Sequence, residues 1–179
     1  YEYQMADQLV ETLYNLGINA TLASEYQNAA NYFMEADHIL RILKKSDMQT
    51  CDVSKLFGLI ALVYFRQKSS YHTRLYLNKA KQYLGHITNK EDEEKIYIAD
   101  DSMFLQYFVS GLMKQQQKKY EEAIVFFEKA KFYMNRSTGS MFLNYTEFIF
   151  DYYQLLLQLG QKEQAKRAME EFRVFCEKN

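Results

Sequence analysis

The sequence predicts an all-α fold built from four pairs of antiparallel helices, and three observations lead to this prediction. The chain of 179 residues is 48% hydrophobic and 25% charged, which is enough to bury a large core. It has 6 Gly and no Pro, so strands and tight turns lack their usual residues. Apolar residues recur every three or four positions, as at Ala123, Phe127 and Ala130, which is the spacing of one helical stripe.

A fixed order of large and small residues occurs twice in the chain. The two series are Tyr26, Ala29, Phe33 and Ala36, and Tyr120, Ala123, Phe127 and Ala130, each with a glycine, Gly17 or Gly111, nine residues before its tyrosine. Agreement at five positions predicts an internal repeat. The same frame finds two weaker copies, at Phe57, Ile60, Tyr64, Thr73, Leu77 and Ala80, and at Ile149, Leu156, Gly160, Ala165 and Met169.

Eight helices follow from this frame. In chain order they are predicted at 3–21, 25–45, 52–68, 70–84, 95–117, 120–135, 140–159 and 161–177. They group into repeats at about 3–45, 52–84, 95–135 and 140–178, which together predict one domain over residues 1–179 that belongs to a larger protein. Because the chain has no proline, Ser24, Ser54 and Ser140 are the predicted N-caps, and Gly160 is predicted near a helix C-terminus.

This residue order resembles the tetratricopeptide repeat, in which Leu-Gly on a first helix faces Ala, Phe and Ala on a second. Leu16-Gly17 with Phe33, and Gly111 with Phe127, carry the resemblance, which covers nearly all of the chain. Repeat starts at 10, 54, 104 and 146 give steps of 44, 50 and 42 residues, whereas the family step is 34. The long step is similar to that of kinesin light chains and of the peptide-pheromone sensors of Gram-positive bacteria. The resemblance implies an α-solenoid wound as a right-handed superhelix.

Composition excludes several functions. The formal net charge is -1 and the sequence pI is about 6.4, so no global positive field would attract nucleic acid directly or an anionic membrane. Cys51 and Cys176 lie in different repeats, which predicts free thiols and a cytoplasmic location. The three histidines lack metal-ligand spacing, and no catalytic motif is present. The sequence therefore predicts no metal, no cofactor and no enzyme activity.

The resemblance places the binding surface on the concave face, which the first helix of each pair lines. The corresponding candidate residues are Tyr14, Asn15, Ile18, Lys55, Leu59, Leu62, Arg66, Phe108, Leu112, Gln115 and Gln116. Chaperone-binding members hold a carboxylate with Lys, Asn and Arg at such positions. Here apolar residues such as Leu59, Leu105 and Val109 take their place, which disfavours a chaperone tail. The apolar stripe is either an open groove for a helix or extended peptide, or buried core.

Three functions remain. The leading hypothesis is a non-catalytic scaffold module that binds a protein or peptide partner. The first alternative is the peptide-pheromone-sensing domain of a bacterial regulator. The second is an oligomerisation domain that associates through its C-terminal helix, where Phe172, Val174 and Phe175 form an apolar group.

Overall fold

The computed structural model describes residues 2–42, 53–87, 93–136 and 142–178. Within these ranges the chain forms helices and no strand. The eight helices are α1 (Glu2–Leu22), α2 (Tyr26–Ile42), α3 (Val53–Arg66), α4 (Ser70–Ile87), α5 (Glu93–Gln116), α6 (Tyr120–Met134), α7 (Phe142–Gln158) and α8 (Lys162–Lys178). The predicted all-α class is confirmed. Residues 43–52, which include the end of the second predicted helix, and the predicted cap Ser140 lie outside the described residues.

The two helices of each pair are joined by the same three-residue turn. Its middle residue has a left-handed backbone, at Ser24 (φ 62°), Lys68 (φ 60°), Lys118 (φ 60°) and Gly160 (φ 72°). The next residue donates its N–H to the carbonyl oxygen five residues back, as from Glu25 to Ala20 at 2.8 Å and from Gln161 to Leu156 at 2.8 Å. This is the Schellman ending of a helix. The four left-handed residues are 44, 50 and 42 positions apart, the same steps as the sequence frame.

Two predicted N-caps are wrong. Ser24 is the left-handed residue that ends α1. Ser54 lies inside α3, is fully buried, and donates its hydroxyl to the carbonyl oxygen of Ala80 at 2.7 Å. The sequence frame put a serine near a helix start in both cases, but a serine side chain satisfies any nearby backbone carbonyl, and tertiary packing decided which one.

Close packing within the pairs depends on glycine facing an aromatic ring. A Cβ added at Gly17 would lie 2.5 Å from Cε1 of Phe33, and one added at Gly111 would overlap the Phe127 ring. The alanines of the repeat, Ala29, Ala36, Ala123 and Ala130, are fully buried. α1 packs on α2, α3 on α4, α5 on α6 and α7 on α8, and α3 packs also on α2 and α5. The predicted contacts, in which a small residue of one helix faces a large residue of the other, are therefore present in the first and third pairs.

Aromatic side chains join α5, α6 and α7. Phe104 lies 4.6 Å from Tyr145, Phe108 lies 5.3 Å from Phe148, and Phe127 lies 5.6 Å from Phe148, as measured between ring centroids. All five rings are fully buried. Edge-to-face and offset contacts of this kind stabilise beyond the area that they bury. This cluster brings α7 against α5 and so positions the polar side chains described next.

Candidate functional site

The predicted binding residues divide into two groups in the structure. The apolar group is core: Leu59, Leu62, Phe108 and Leu112 are 2%, 0%, 0% and 3% exposed. These four were expected to line a groove if the stripe were open. The structure instead shows the alternative, in which the stripe is buried, because Phe108 packs between Phe127 and Phe148 and Gly58 lets Leu105 of α5 approach α3.

The second group is polar or amphipathic and reaches the surface. Asn15 on α1 and Gln116 at the end of α5 are exposed, while Tyr14, Ile18, Lys55, Arg66 and Gln115 are half-buried. Lys55 lies 5.6 Å above the Tyr14 ring, a distance at which a cation is attracted to an aromatic face. We call the exposed and half-buried polar side chains of the first helices the polar face: Asn15, Lys55, Arg66, Gln115, Gln116, Glu147 and Asp151.

Arg66 links α3 to α7. Its Nε donates to Oε1 of Glu147 at 2.7 Å and its Nη2 donates to Oδ2 of Asp151 at 2.6 Å. The two acceptors are four residues apart on α7, which puts them on one side of that helix. Two carboxylates share one guanidinium, so the cluster has one net negative charge when all three groups are ionised.

The electrostatics of this cluster follow from its burial. Burial raises the pKa of Glu147 above its ordinary value, and Arg66 opposes the rise only in part. The pKa of the Asp151 carboxyl is raised for the same reason. Burial also disfavours the charged guanidinium and by itself would lower the pKa of Arg66. The attraction of the two carboxylates together is larger, so the pKa of Arg66 is raised. Neutralising either carboxyl is easier here than in water.

A second link, near the other end of α3, joins α3, α5 and α7. Lys55 on α3 lies 3.0 Å from Oδ2 of Asp101 on α5, and the Tyr145 hydroxyl on α7 donates to Oδ1 of Asp101 at 2.8 Å. Asp101 is buried, and a buried carboxylate requires such partners. Sequence reasoning found Lys55 but missed Asp101 and Tyr145. The signal that could have found Asp101 is an aspartate within the apolar face of a helix.

A third link is an amide pair. Gln115 on α5 donates its Nε2 to Oε1 of Gln158 on α7 at 3.3 Å. Beneath the polar face, Gln106 donates to the hydroxyls of Ser54 and Ser102, at 3.3 Å in each case. That buried group is structural, since all three residues are inaccessible. The accessible part of the face thus consists of charged groups in pairs and of side-chain amides.

Outside the polar face, one serine and one histidine lie close together. Ser69 and His72 are hydrogen-bonded at 2.8 Å, but Ser69 directly precedes α4, His72 lies in its first turn, and the imidazole stacks on Tyr64 at 4.7 Å. This is a capping contact, with no carboxylate among the described residues to orient the imidazole. Nor does any group of three His, Cys, Asp or Glu in the described ranges have the geometry to hold a metal ion.

Two further observations concern the whole chain. Among the helices that the structure describes, none combines the length and the apolar character needed to cross a membrane. A scan against models of protein families finds no match, and searches of the curated proteins and of the solved structures find none either.

Proposed function

We propose that the chain is a tetratricopeptide-like solenoid whose first helices, α1, α3, α5 and α7, line the concave side of a right-handed superhelix. The four equivalent turns, 44, 50 and 42 residues apart, support this arrangement. So do the two glycine-to-phenylalanine contacts within helix pairs. The links from α3 through α5 to α7 are those expected when successive first helices lie side by side.

On this basis the protein is a non-catalytic module that binds a protein or peptide partner on its polar face. The observation that carries the proposal is that the first helices carry accessible polar side chains over a buried apolar core. Asn15, Gln115 and Gln116 present amides that can donate to and accept from a peptide backbone. Because the apolar stripe is buried, recognition depends on hydrogen bonds and charge.

The proposal includes a location and a type of partner. Cys176 is a free thiol, which is consistent with a reducing compartment, and we assign the protein to the cytoplasm. The partner is another protein or a peptide, with neither nucleic acid nor membrane as the primary ligand. On the exposed side of α8, Arg173 pairs with both Glu170 and Glu177, and Met169 and Val174 are exposed at 45% and 37%. Phe172 and Phe175 pack against the core, so association of two subunits through α8 would depend on Met169 and Val174.

The test is capture of partners from an extract of the native cells with the purified protein, followed by mass spectrometry that detects both proteins and short peptides. The variant Asn15→Ala/Gln115→Ala/Gln116→Ala removes the amides of the polar face. The variant Gln27→Ala/Gln164→Ala removes exposed amides elsewhere and serves as the control. We expect a partner that the control retains and the triple variant loses.

The nature of the captured partner decides between the functions. A protein lost from the triple variant supports a scaffold module. A short peptide lost from it identifies a peptide-sensing domain. Equal capture by all three proteins would contradict binding at the polar face.

A further inference from the structure

The second helix pair carries charges of one sign only. Residues 53–87 contain six basic side chains, Lys55, Arg66, Lys68, Arg74, Lys79 and Lys81, and no Asp or Glu. The formal charge of the whole chain is only -1. The rest of the chain therefore carries an excess of acidic residues, and the second pair creates a local positive field.

Two of the six cations pair with carboxylates of other helices, and four do not. Lys55 and Arg66 pair with carboxylates of α5 and α7. For Lys68, Arg74, Lys79 and Lys81, no carboxylate of the described residues lies within ion-pair distance. Lys68, Arg74 and Lys81 are exposed, while Lys79 lies 4.6 Å above the Tyr76 ring. Four cations on or just before one helix therefore lack an acidic partner within the described part of the chain.

Apolar side chains are exposed beside these cations. Tyr71 is 71% exposed and Leu75 is 37% exposed, and they are four positions apart, which puts them side by side on α4. Arg74 and Lys81 are seven residues apart, or about 10.5 Å along the helix axis. The exposed side of α4 thus combines an apolar pair with a row of cations. We call Lys68, Tyr71, Arg74, Leu75 and Lys81 the α4 basic face.

We propose that the α4 basic face docks an acidic amphipathic helix of a partner protein. Carboxylates seven residues apart on such a helix would meet Arg74 and Lys81, and apolar residues level with and beyond the carboxylate at Arg74 would cover Leu75 and Tyr71. Apolar burial supplies affinity, and the charges select the partner and its orientation. This goes beyond the proposed function, because the α4 basic face shares no residue with the polar face.

The surroundings favour a protein helix over nucleic acid. Residues 2–42 contain six carboxylates and one arginine, Arg41. α2 lies beside the second pair, with the Met34 sulfur 3.6 Å from the Tyr64 hydroxyl. A long polyanion that followed α4 toward α2 would meet this negative region and be repelled. A short acidic helix is confined to α4 and gains from Tyr71 and Leu75, which a phosphate backbone would not cover.

The test uses designed peptides as probes for the intact chain. The acidic probe is a fluorescein-labelled helical peptide of 18 residues with leucines along one stripe and glutamates beside it. A second peptide replaces each glutamate with glutamine, and a single-stranded RNA of 18 nucleotides is the polyanion probe. Fluorescence anisotropy measures Kd at low and high salt. We expect the acidic peptide to bind at least about tenfold more tightly than the glutamine peptide, with the difference reduced by salt.

Two variants of equal charge locate the site. Arg74→Glu/Lys81→Glu should weaken binding of the acidic peptide by about tenfold or more. Lys162→Glu/Arg167→Glu changes the net charge by the same amount on exposed residues of α8, and should leave Kd unchanged. Tyr71→Ala should weaken binding of both peptides, and circular dichroism checks that each variant is folded.

Three results would overturn the proposal. They are equal loss of binding in the α4 and α8 variants, equal affinity for the acidic and glutamine peptides, and tighter binding of the RNA than of the acidic peptide. The last would make α4 a nucleic-acid surface. None of these three results concerns the capture of a partner through Asn15, Gln115 and Gln116, so either proposal can fail without the other.

Discussion

Arg66 on α3 donates hydrogen bonds to both Glu147 and Asp151 on α7, at 2.7 and 2.6 Å, although 81 and 85 residues separate them in the chain. Neither acceptor lies in a pair adjacent to that of Arg66. The contact therefore ties the second helix pair to the fourth and limits how far these two pairs can move apart.

Removal of the guanidinium tests the contribution of this link to stability. Arg66→Met leaves two half-buried carboxylates without their cation, which should lower the free energy of unfolding by about 2 to 3 kcal/mol. Urea unfolding measures the change. The control is Arg173→Met, which removes pairs to Glu170 and Glu177 on the surface of α8 and should not move the midpoint. Equal midpoints for the two variants would contradict the assigned role of Arg66.

The same cluster makes stability depend on pH. Burial raises the folded-state pKa values of Glu147 and Asp151, so the folded protein holds protons that the unfolded chain has already released. Stability from these two groups is present below their unfolded pKa values and is lost as pH rises through the folded values. We expect Glu147→Gln/Asp151→Asn to remove this decline, measured as the urea midpoint at several pH values above 4. If the urea midpoint of the variant fell with rising pH as that of the wild type does, these two carboxyls would be excluded as the source of the decline.

The requirement for glycine where two helices pack closely can be tested by adding one methyl group. Gly111→Ala should cost about 1 to 3 kcal/mol of stability, because the new Cβ overlaps the Phe127 ring. Gly17→Ala should behave alike against Phe33. In a Phe127→Leu background the cost of Gly111→Ala should fall, because the smaller side chain leaves room. An identical cost in both backgrounds would mean that the ring is not what limits the approach of α5 and α6.

Phe108 distinguishes buried core from open groove. Since its side chain is fully buried between Phe127 and Phe148, Phe108→Ala should lower stability by about 3 to 5 kcal/mol. Phe150 on α7 is 63% exposed, and Phe150→Ala should change the urea midpoint little. A stable Phe108→Ala protein that loses only ligand binding would restore the groove interpretation.

Local features of the fold could be predicted from sequence. Helix periodicity located all eight helices, with ends that differ from the described bounds by at most three residues. The pairs Gly17–Phe33 and Gly111–Phe127 were predictable because the repeat frame matches small residues to large ones. Ser54 shows the limit of this reasoning: its type predicts a cap, but its hydroxyl bonds the Ala80 carbonyl on α4.

The candidate site was predictable only in part. Lys55, Arg66 and Gln115 were identified by position on the first helices, and each makes a contact on the polar face. Leu62 and Phe108 came from the same positions and are core. Position along a helix predicts which side a residue occupies, but it cannot predict whether another helix covers that side.

By itself the sequence determined the helices, their order in pairs and the small-to-large contacts within them, because these depend on spacing over a few turns. Only the tertiary structure decided that Arg66 would meet Glu147 and Asp151, and that the apolar stripe would be closed over. The reason is that these contacts depend on the angle at which α7 packs onto α5. Many aromatic contacts together set that angle, for example the contact between Phe104 and Tyr145. No local pattern of residues encodes it.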